Sequence, residues 1–140
     1  KDSPFIGEAV CAGCHSEAAK VWNKSRHAHA FATLKKEGKH FDPECLECHV
    51  VGLKPWRAPA DSDPQMKKWE GLVGFLSPDL TSHLMNVQCE NCHGPARAHL
   101  LDPTKKLSVS NPAETCVSCH HGSHSPLFSF EKYWPKVQHK

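Results

Sequence analysis

Cys89-Glu90-Asn91-Cys92-His93 is the third of four copies of the pattern Cys-x-x-Cys-His in this chain. The first, second and fourth motifs occupy residues 11–15, 45–49 and 116–120. The pattern is typical of a c-type haem attachment site, in which two thiols form thioethers with the haem and the histidine binds its iron. The spacing suits this chemistry because one helical turn presents both sulfurs and then directs the imidazole at the metal.

We therefore predict four haem c groups, one for each motif. The covalent attachment points are Cys11, Cys14, Cys45, Cys48, Cys89, Cys92, Cys116 and Cys119, and the proximal iron ligands are His15, His49, His93 and His120. All eight cysteines fall inside the motifs. Two zinc sites built from the paired thiols would leave the four motif histidines unexplained, and disulfides within the motifs would close only very small loops.

Length and composition indicate how such a chain folds. Its 140 residues predict one domain, residues 1–140, with 39% apolar residues for four cofactors. The porphyrins must then supply much of the buried apolar surface, so the apoprotein is expected to be largely unfolded. Eleven prolines and eight glycines favour short helices joined by loops. The predicted class is mainly α with extensive loops, organised around the haems.

Local signals place the helices. Residues 16–37 are strongly helical in composition, with a break at Ser25 and an end at Gly38. The stretch 52–80 is rich in Pro, Gly and Asp, and predicts an irregular excursion. Asn111 precedes Pro112 in the order typical of a helix start, here that of the fourth motif.

The charge balance argues against a nucleic-acid partner. The formal charge is +2, and four ferric haems with their propionates would shift it to roughly −2. The lysines nevertheless form three clusters, which represent either a solvated surface or a docking patch for an acidic redox partner: Lys35, Lys36 and Lys39; Lys67 and Lys68; Lys105 and Lys106.

The expected location is periplasmic or extracellular. No signal peptide is visible, and no apolar run approaches the ~18 residues of a membrane span. Covalent haem attachment takes place outside the cytoplasmic membrane, so we infer that an export signal has been removed.

Eight histidines outside the motifs are candidates for the second axial position of each iron. A second ligand makes a haem an electron carrier, whereas an open position allows small molecules to bind. His99 and His124 follow the proximal histidine of their own motif by six and four residues. Because this is too close to wrap around the same haem, each is expected to reach a neighbouring one, which would hold the haems in stacked pairs.

Three stretches resemble the tetrahaem cytochrome c-554 family over about residues 5–121. They are Trp-x-x-x-x-His-Ala-x-Ala from Trp22, Cys-x-x-Cys-His-Val-x-Gly from Cys45, and Cys-Glu-x-Cys-His-Gly-Pro from Cys89. Members of that family accept electrons from hydroxylamine oxidoreductase, and related units occur in larger multihaem enzymes and in extracellular haem filaments.

The resemblance also implies distal ligands. His27 matches the ligand of the fourth haem, His99 that of the first, and His139 is the candidate for the third. The second haem is five-coordinate in the family. His124 has no clear counterpart there; by analogy with His99 it is expected to cross to the second haem, which would make all four haems bis-histidine.

Other assignments remain open. His29 competes with His27, His40 and His83 are reserve distal ligands, and His121 is expected beside a haem without binding iron. Met66 and Met85 are further axial candidates, although Met85 is more simply a packing residue.

The resulting functional expectation is an electron carrier without catalytic residues, working between redox partner proteins that include membrane-associated reductases or oxidases. One alternative is a subunit of a conductive haem filament or larger redox complex, formed by self-association. Another is an oxidoreductase acting on a nitrogen oxide or hydroxylamine at a five-coordinate haem.

Replacing a motif cysteine tests the cofactor prediction. Cys92→Ala should lower haem incorporation and destabilise the fold, because a buried apolar disc loses a covalent tether. Pyridine haemochrome analysis and intact-mass measurement report the haem content. Wild-type haem content in this variant would contradict the assignment.

Overall fold

A computed structural model describes residues 3–58, 60 and 64–140 as a series of short helices. The α-helices are α1 (Glu8–Ala12), α2 (Ser16–Lys24), α3 (Ala30–Lys36), α4 (Pro43–His49), α5 (Cys89–His93), α6 (Arg97–Leu101), α7 (Pro112–Val117) and α8 (Phe130–Tyr133). Short 3-10 helices cover Arg26–His29, Pro64–Trp69, Ser82–Leu84, Gly122–His124 and Trp134–Lys136. Within these residues there is an isolated bridge between Val50 and Met85 but no strand, so the predicted class, mainly α with extensive loops, is confirmed.

The helix boundaries follow the local signals. Asn111 accepts a hydrogen bond from the Glu114 amide at 3.2 Å and begins α7. Gly38, at φ +70°, follows the end of α3, and the extended backbone of Ser25 separates α2 from the next helical turn. These three predictions are confirmed. The α4 helix begins in the same way as α7, with the Asp42 carboxylate capping the Glu44 amide.

A small apolar core lies behind the second motif. Val50 and Val51 are fully buried, and Leu84 is 1% exposed. The core consists of Phe5, Phe31, Leu34, Leu46, Val50, Val51, Phe75 and Leu84. Because α3 packs against α4, this cluster supports the helix that carries the second motif.

The described residues of the stretch 52–80 are irregular, as predicted, apart from one 3-10 helix at Pro64–Trp69. Residues 59 and 61–63 of the predicted excursion lie outside the described residues. Its return is fixed to the core by backbone hydrogen bonds from Phe75 to Val51 and from Gly74 to Gly52, at 2.9 and 2.6 Å.

The accessible surface is large for the mass. The polypeptide exposes 9490 Å², whereas a compact protein of this size exposes about 7,200 Å². Side chains alone therefore form a thin core, in agreement with the expectation that cofactors supply buried apolar surface.

Gly52 is a position where a methyl group should be costly. Its φ is +69°, and an added Cβ would lie 2.5 Å from the Phe5 ring. Gly71 has a similar φ of +79° with open space around it. Gly71→Ala should lower the free energy of unfolding by about 1 kcal/mol, because only the backbone is strained. Gly52→Ala should lower it by about 1–3 kcal/mol more, because the added methyl group also crowds the Phe5 ring. Denaturant unfolding measures the stability of both variants. Equal losses of stability would contradict the argument that Phe5 crowds position 52.

Candidate haem-binding sites

Each motif forms one helical turn. The His15 amide donates to the Cys11 carbonyl at 2.9 Å, and the His120 amide donates to Cys116 at 2.8 Å. The second and third motifs lie within α4 and α5. The local geometry that the motif chemistry requires is therefore present at all four positions.

The first motif faces His99. The His15 and His99 rings lie 6.2 Å apart between centroids. His99 is on α6, and its Nδ1 is hydrogen-bonded to the Lys105 carbonyl at 2.8 Å. Since a carbonyl oxygen only accepts, Nδ1 carries the proton, and Nε2 is left with the lone pair that a metal needs.

The fourth motif faces His27. The His27 and His120 rings are 6.1 Å apart, and His120 Nδ1 lies 2.9 Å from the Ser125 hydroxyl. Burial lowers the pKa of His27, and the charges of His120 and His49 lower it further. Burial, followed by the charge of His49, also lowers the pKa of His120. Both imidazoles are therefore neutral at pH 7, the form that binds iron.

Aromatic side chains hold the His120 ring in place. Phe128 stacks on it at 4.9 Å, and the Tyr133 ring lies edge-on to it at 5.6 Å. The α8 helix thus supports the fourth motif.

The third motif faces the C-terminal His139. The His93 and His139 rings are 6.1 Å apart, and His139 Nδ1 is 2.8 Å from the Val137 carbonyl. Burial lowers the pKa of His93 and the charge of His139 lowers it further, while a hydrogen bond with the Leu107 backbone opposes the shift.

These separations fit iron between two imidazoles. Metal–nitrogen bonds of about 2 Å place two ring centroids on opposite sides of a metal about 6 Å apart. Three histidine pairs of this chain lie at 6.1–6.2 Å. The structure thus brings together the pairs that include His99, His27 and His139; as iron ligands these residues remain predictions.

The second motif differs from the others. His49 Nδ1 is 2.7 Å from the Ala30 carbonyl, so its ring is oriented in the same way. Within the described part of the chain, however, no second histidine ring lies against it. His124 is exposed and makes no ring contact there, so its assignment to the second haem stays a prediction.

The remaining histidines occupy other surroundings. His29, His83 and His121 are exposed. His40 is half-buried with its ring 4.3 Å from that of Phe41, and its Nδ1 is buried without a hydrogen-bond partner. None of them faces a motif histidine in the described residues. The axial candidates Met66 and Met85 are half-buried, and Met85 packs against the core.

The cysteines show which motifs are neighbours. The thiols of Cys11 and Cys89 lie close enough to interact, which raises the pKa of Cys11 and lowers that of Cys89. The first and third motifs are therefore adjacent, and α1 packs on α5.

The other two neighbouring pairs follow in the same way. Burial, with a hydrogen bond to Cys119, raises the pKa of Cys48 to about 12, so the second and fourth motifs are adjacent. Cys92 is within electrostatic range of Cys116 and Cys119, and α5 packs on α7. The motifs thus follow one another in the order first, third, fourth, second.

Glu90 connects the first and third motifs, a role that sequence reasoning missed. Glu90 is 4% exposed, and its carboxylate accepts hydrogen bonds from three backbone amides, those of Ile6, Gly7 and Ala96, at 2.8–3.0 Å. Burial raises the pKa of Glu90, and these hydrogen bonds oppose the shift. The carboxylate fixes the entry to α1 against α5. The sequence signal was a charged residue between two motif cysteines. Glu47 occupies such a position too and is exposed, so the signal does not single out Glu90.

The segment around Glu90 also contacts the backbone of His27. The Trp22 indole donates to the Val87 carbonyl at 2.6 Å, and the Val87 amide donates to the His27 carbonyl at 3.2 Å. The Asn91 side chain donates to the Val50 carbonyl, which connects the third motif to the second. Residues 83–91 therefore form a central crossing that we call the hub segment.

No group of three or more His, Cys, Asp or Glu side chains in the described residues is arranged to hold a metal ion by itself.

Four attachment motifs, with imidazole pairs at the spacing that iron requires, define a multihaem c-type cytochrome. The model of the family "Cytochrome c554 and c-prime" matches residues 10–94. The chain belongs to this family, as the resemblance predicted, and family membership implies covalently bound haem c.

Relatives agree with this assignment. The chain is 32% identical over 111 residues to cytochrome c-554 of Nitrosomonas europaea, an alignment that covers 69% of this chain and 40% of that protein. It thus aligns with less than half of that relative. The structure of reduced cytochrome c554 from the same organism matches the fold with a TM-score of 0.53 at 24% identity, covering 99% of this chain and 80% of that one.

Among the described residues, no helix combines the length and the apolar character needed to cross a membrane.

Glu90→Gln should destabilise the protein by about 1–3 kcal/mol, because the amide offers one acceptor oxygen where three buried N–H groups need partners. Glu47→Gln is the matched control inside the second motif. Glu47 is 47% exposed and pairs with Lys54, so its loss should change stability by less than about 1 kcal/mol. Denaturant unfolding of the haem-loaded protein measures the stability of both variants. Equal losses of stability would refute the role of Glu90.

Proposed function

We propose that this chain binds four haem c groups and carries electrons between redox partner proteins in the periplasm or outside the cell. The haem supplies the one-electron chemistry of its iron, and the polypeptide holds the axial imidazoles and the spacing between sites. The observation that carries the proposal is the set of three histidine pairs at 6.1–6.2 Å.

The hydrogen bonds of the imidazoles support this proposal. The Nδ1 atoms of His49, His99 and His139 each lie 2.7–2.8 Å from a backbone carbonyl. Such partners fix the tautomer and the orientation of a metal-binding ring. Rings held in this way need little rearrangement when the charge at the metal changes by one unit.

The order of the motifs supports a path through the protein. Neighbouring motifs are close enough for their thiols to interact, from first to third, third to fourth, and fourth to second. An electron entering at either end of this series would pass adjacent sites throughout.

A second candidate function arises at the second motif. No described histidine ring faces His49, and His124 lies exposed. A site with one imidazole and an open position could bind a small molecule such as a nitrogen oxide or hydroxylamine.

Removing a distal ligand tests the electron-carrier proposal. His99→Ala or His27→Ala should convert one low-spin haem to high spin, because the facing imidazole is lost. His29→Ala is the matched control, since His29 is exposed two residues from His27. Electron paramagnetic resonance of the oxidised protein reports the spin states. Unaltered spectra for His99→Ala would refute its assignment.

Carbon monoxide distinguishes the two candidate functions at the second motif. If His124 closes that site, the ferrous protein should not bind carbon monoxide, whereas His124→Ala should bind one equivalent. Stoichiometric binding by the wild type would contradict the His124 prediction and favour small-molecule chemistry. Optical titration of the dithionite-reduced protein gives the answer.

A further inference from the structure

Glu90 places a buried carboxylate where the first and third motifs meet. Glu90 is 4% exposed, and the amides of Ile6, Gly7 and Ala96 donate to its carboxylate at 2.8–3.0 Å. All three partners are donors, whereas a protonated carboxyl group carries an O–H that needs an acceptor. The hydrogen bonds therefore favour the ionised form of this side chain.

No paired cation neutralises this carboxylate. Within the part of the chain that the structure describes, Glu90 makes no ion pair. The guanidinium of Arg97 acts on it from a greater distance, and its Nε donates to the Ser3 carbonyl. Burial raises the pKa of Glu90, while the three hydrogen bonds and the charge of Arg97 lower it. The negative charge is thus stabilised mainly by amide groups, and its field extends to the neighbouring residues.

The carboxylate lies beside attachment points of both motifs. Glu90 directly follows Cys89, and its partner Gly7 is the residue before α1, the helix that contains Cys11. The interaction with Cys89, together with burial, raises the pKa of Cys11, and the charge of Glu90 raises it further. The interaction with Cys11 lowers the pKa of Cys89, and the charge of Glu90 opposes that shift. The field of Glu90 therefore disfavours additional negative charge at both positions.

The second motif contains a carboxylate in very different surroundings. Glu47 also lies between two motif cysteines, but its side chain is 47% exposed and pairs with Lys54 at 2.8 Å. An exposed charge is screened by water and salt, and here a cation also opposes it. The charge of Glu47 should therefore influence its motif much less than the charge of Glu90 influences the first and third motifs.

We propose that Glu90 remains ionised at pH 7 and lowers the reduction potentials of the first and third sites. This inference rests on the proposed electron-carrier function. Reduction at either site takes one electron from a redox partner protein, converts Fe(III) to Fe(II) and leaves Glu90 ionised. The added negative charge lies near a buried carboxylate that solvent screens poorly, so the oxidised form is favoured. Glu90 thus joins the two motifs and also sets how readily they accept an electron.

Potentiometric titration of the haem-loaded protein, followed by electron paramagnetic resonance, tests the effect of the charge. Glu90→Gln removes the charge and nearly keeps the shape of the side chain. It should favour reduction of two of the four haems by about tenfold, which appears as an upward shift of their midpoint potentials. The low-spin signal that is lost in His99→Ala identifies the first site. Glu47→Gln is the matched charge control and should change each equilibrium by less than about twofold.

A neutral variant separates the charge from the structural role of this region. The Asn91 side chain accepts from the Gln88 amide at 2.7 Å and donates to the Val50 carbonyl at 2.9 Å. Asn91→Ala therefore weakens the hub segment without changing its charge. It should lower the unfolding temperature but should not raise the potentials of the first and third sites together. Thermal unfolding and pyridine haemochrome analysis establish the fold and the haem content of each variant.

Infrared spectroscopy of the wild type provides a test that needs no variant. In protein labelled with 13C-glutamate, the oxidised-minus-reduced difference spectrum should show a shifted carboxylate band and no protonated carboxyl band at pH 7. The isotope distinguishes glutamate from the haem propionates. Proton uptake by a labelled carboxylate on reduction would overturn the inference, even if Glu90→Gln fails to bind haem.

The remaining outcomes separate this inference from the proposed function. Wild-type potentials in haem-loaded Glu90→Gln would overturn the role of the charge. An equal rise in Glu47→Gln or in Asn91→Ala would overturn it too, because the effect would then not depend on the buried carboxylate. A wild type in which no haem titrates as a one-electron group would overturn the electron-carrier function itself.

Discussion

The imidazole pairs of this protein are formed by residues far apart in the sequence, and that requirement shapes the chain. His15 is paired with His99, and His27 near the start of the chain with His120 near its end. Each pair closes a long loop whose entropy the polypeptide's small core would offset poorly by itself. Under the proposed haem ligation, metal–ligand bonds and the buried faces of the cofactors would contribute to folding as well as to function.

The hub segment gives these long loops a fixed frame. Glu90 binds the start of the first helix, Asn91 binds the strand-like residue Val50, and Val87 bonds to both Trp22 and His27. Apart from the Trp22 indole, these partners are backbone groups, which are present whatever the side chain. The hub segment can therefore position three motifs with few side chains, which suits a chain with little core.

Local chemistry was predictable from the sequence, and long-range polar contacts were not. The helical turns of the motifs, the Asn111 cap and the stop at Gly38 depend on residues within one or two turns, so their signals are read directly. Glu90 and Glu47 look alike in sequence, since both lie between motif cysteines. One is 4% exposed and the other has a 47% exposed side chain, because only the first meets amides more than eighty residues away. The pairing of His27, His99 and His139 followed from family resemblance, since spacing alone left several histidines in competition.

The different partners of the imidazole Nδ1 atoms have an energetic consequence. A backbone carbonyl accepts the N–H of His99 and of His139. As iron ligands under the proposed function, these rings would be stronger electron donors to the metal, which would favour its oxidised state. His120 instead meets the Ser125 hydroxyl, which can rotate and also donate. Under the proposed ligation, this difference alone would raise the reduction potential of the fourth site relative to the first and third. Because the fourth site lies in the interior of the series, an electron held there would be at least one transfer step from a partner at either end.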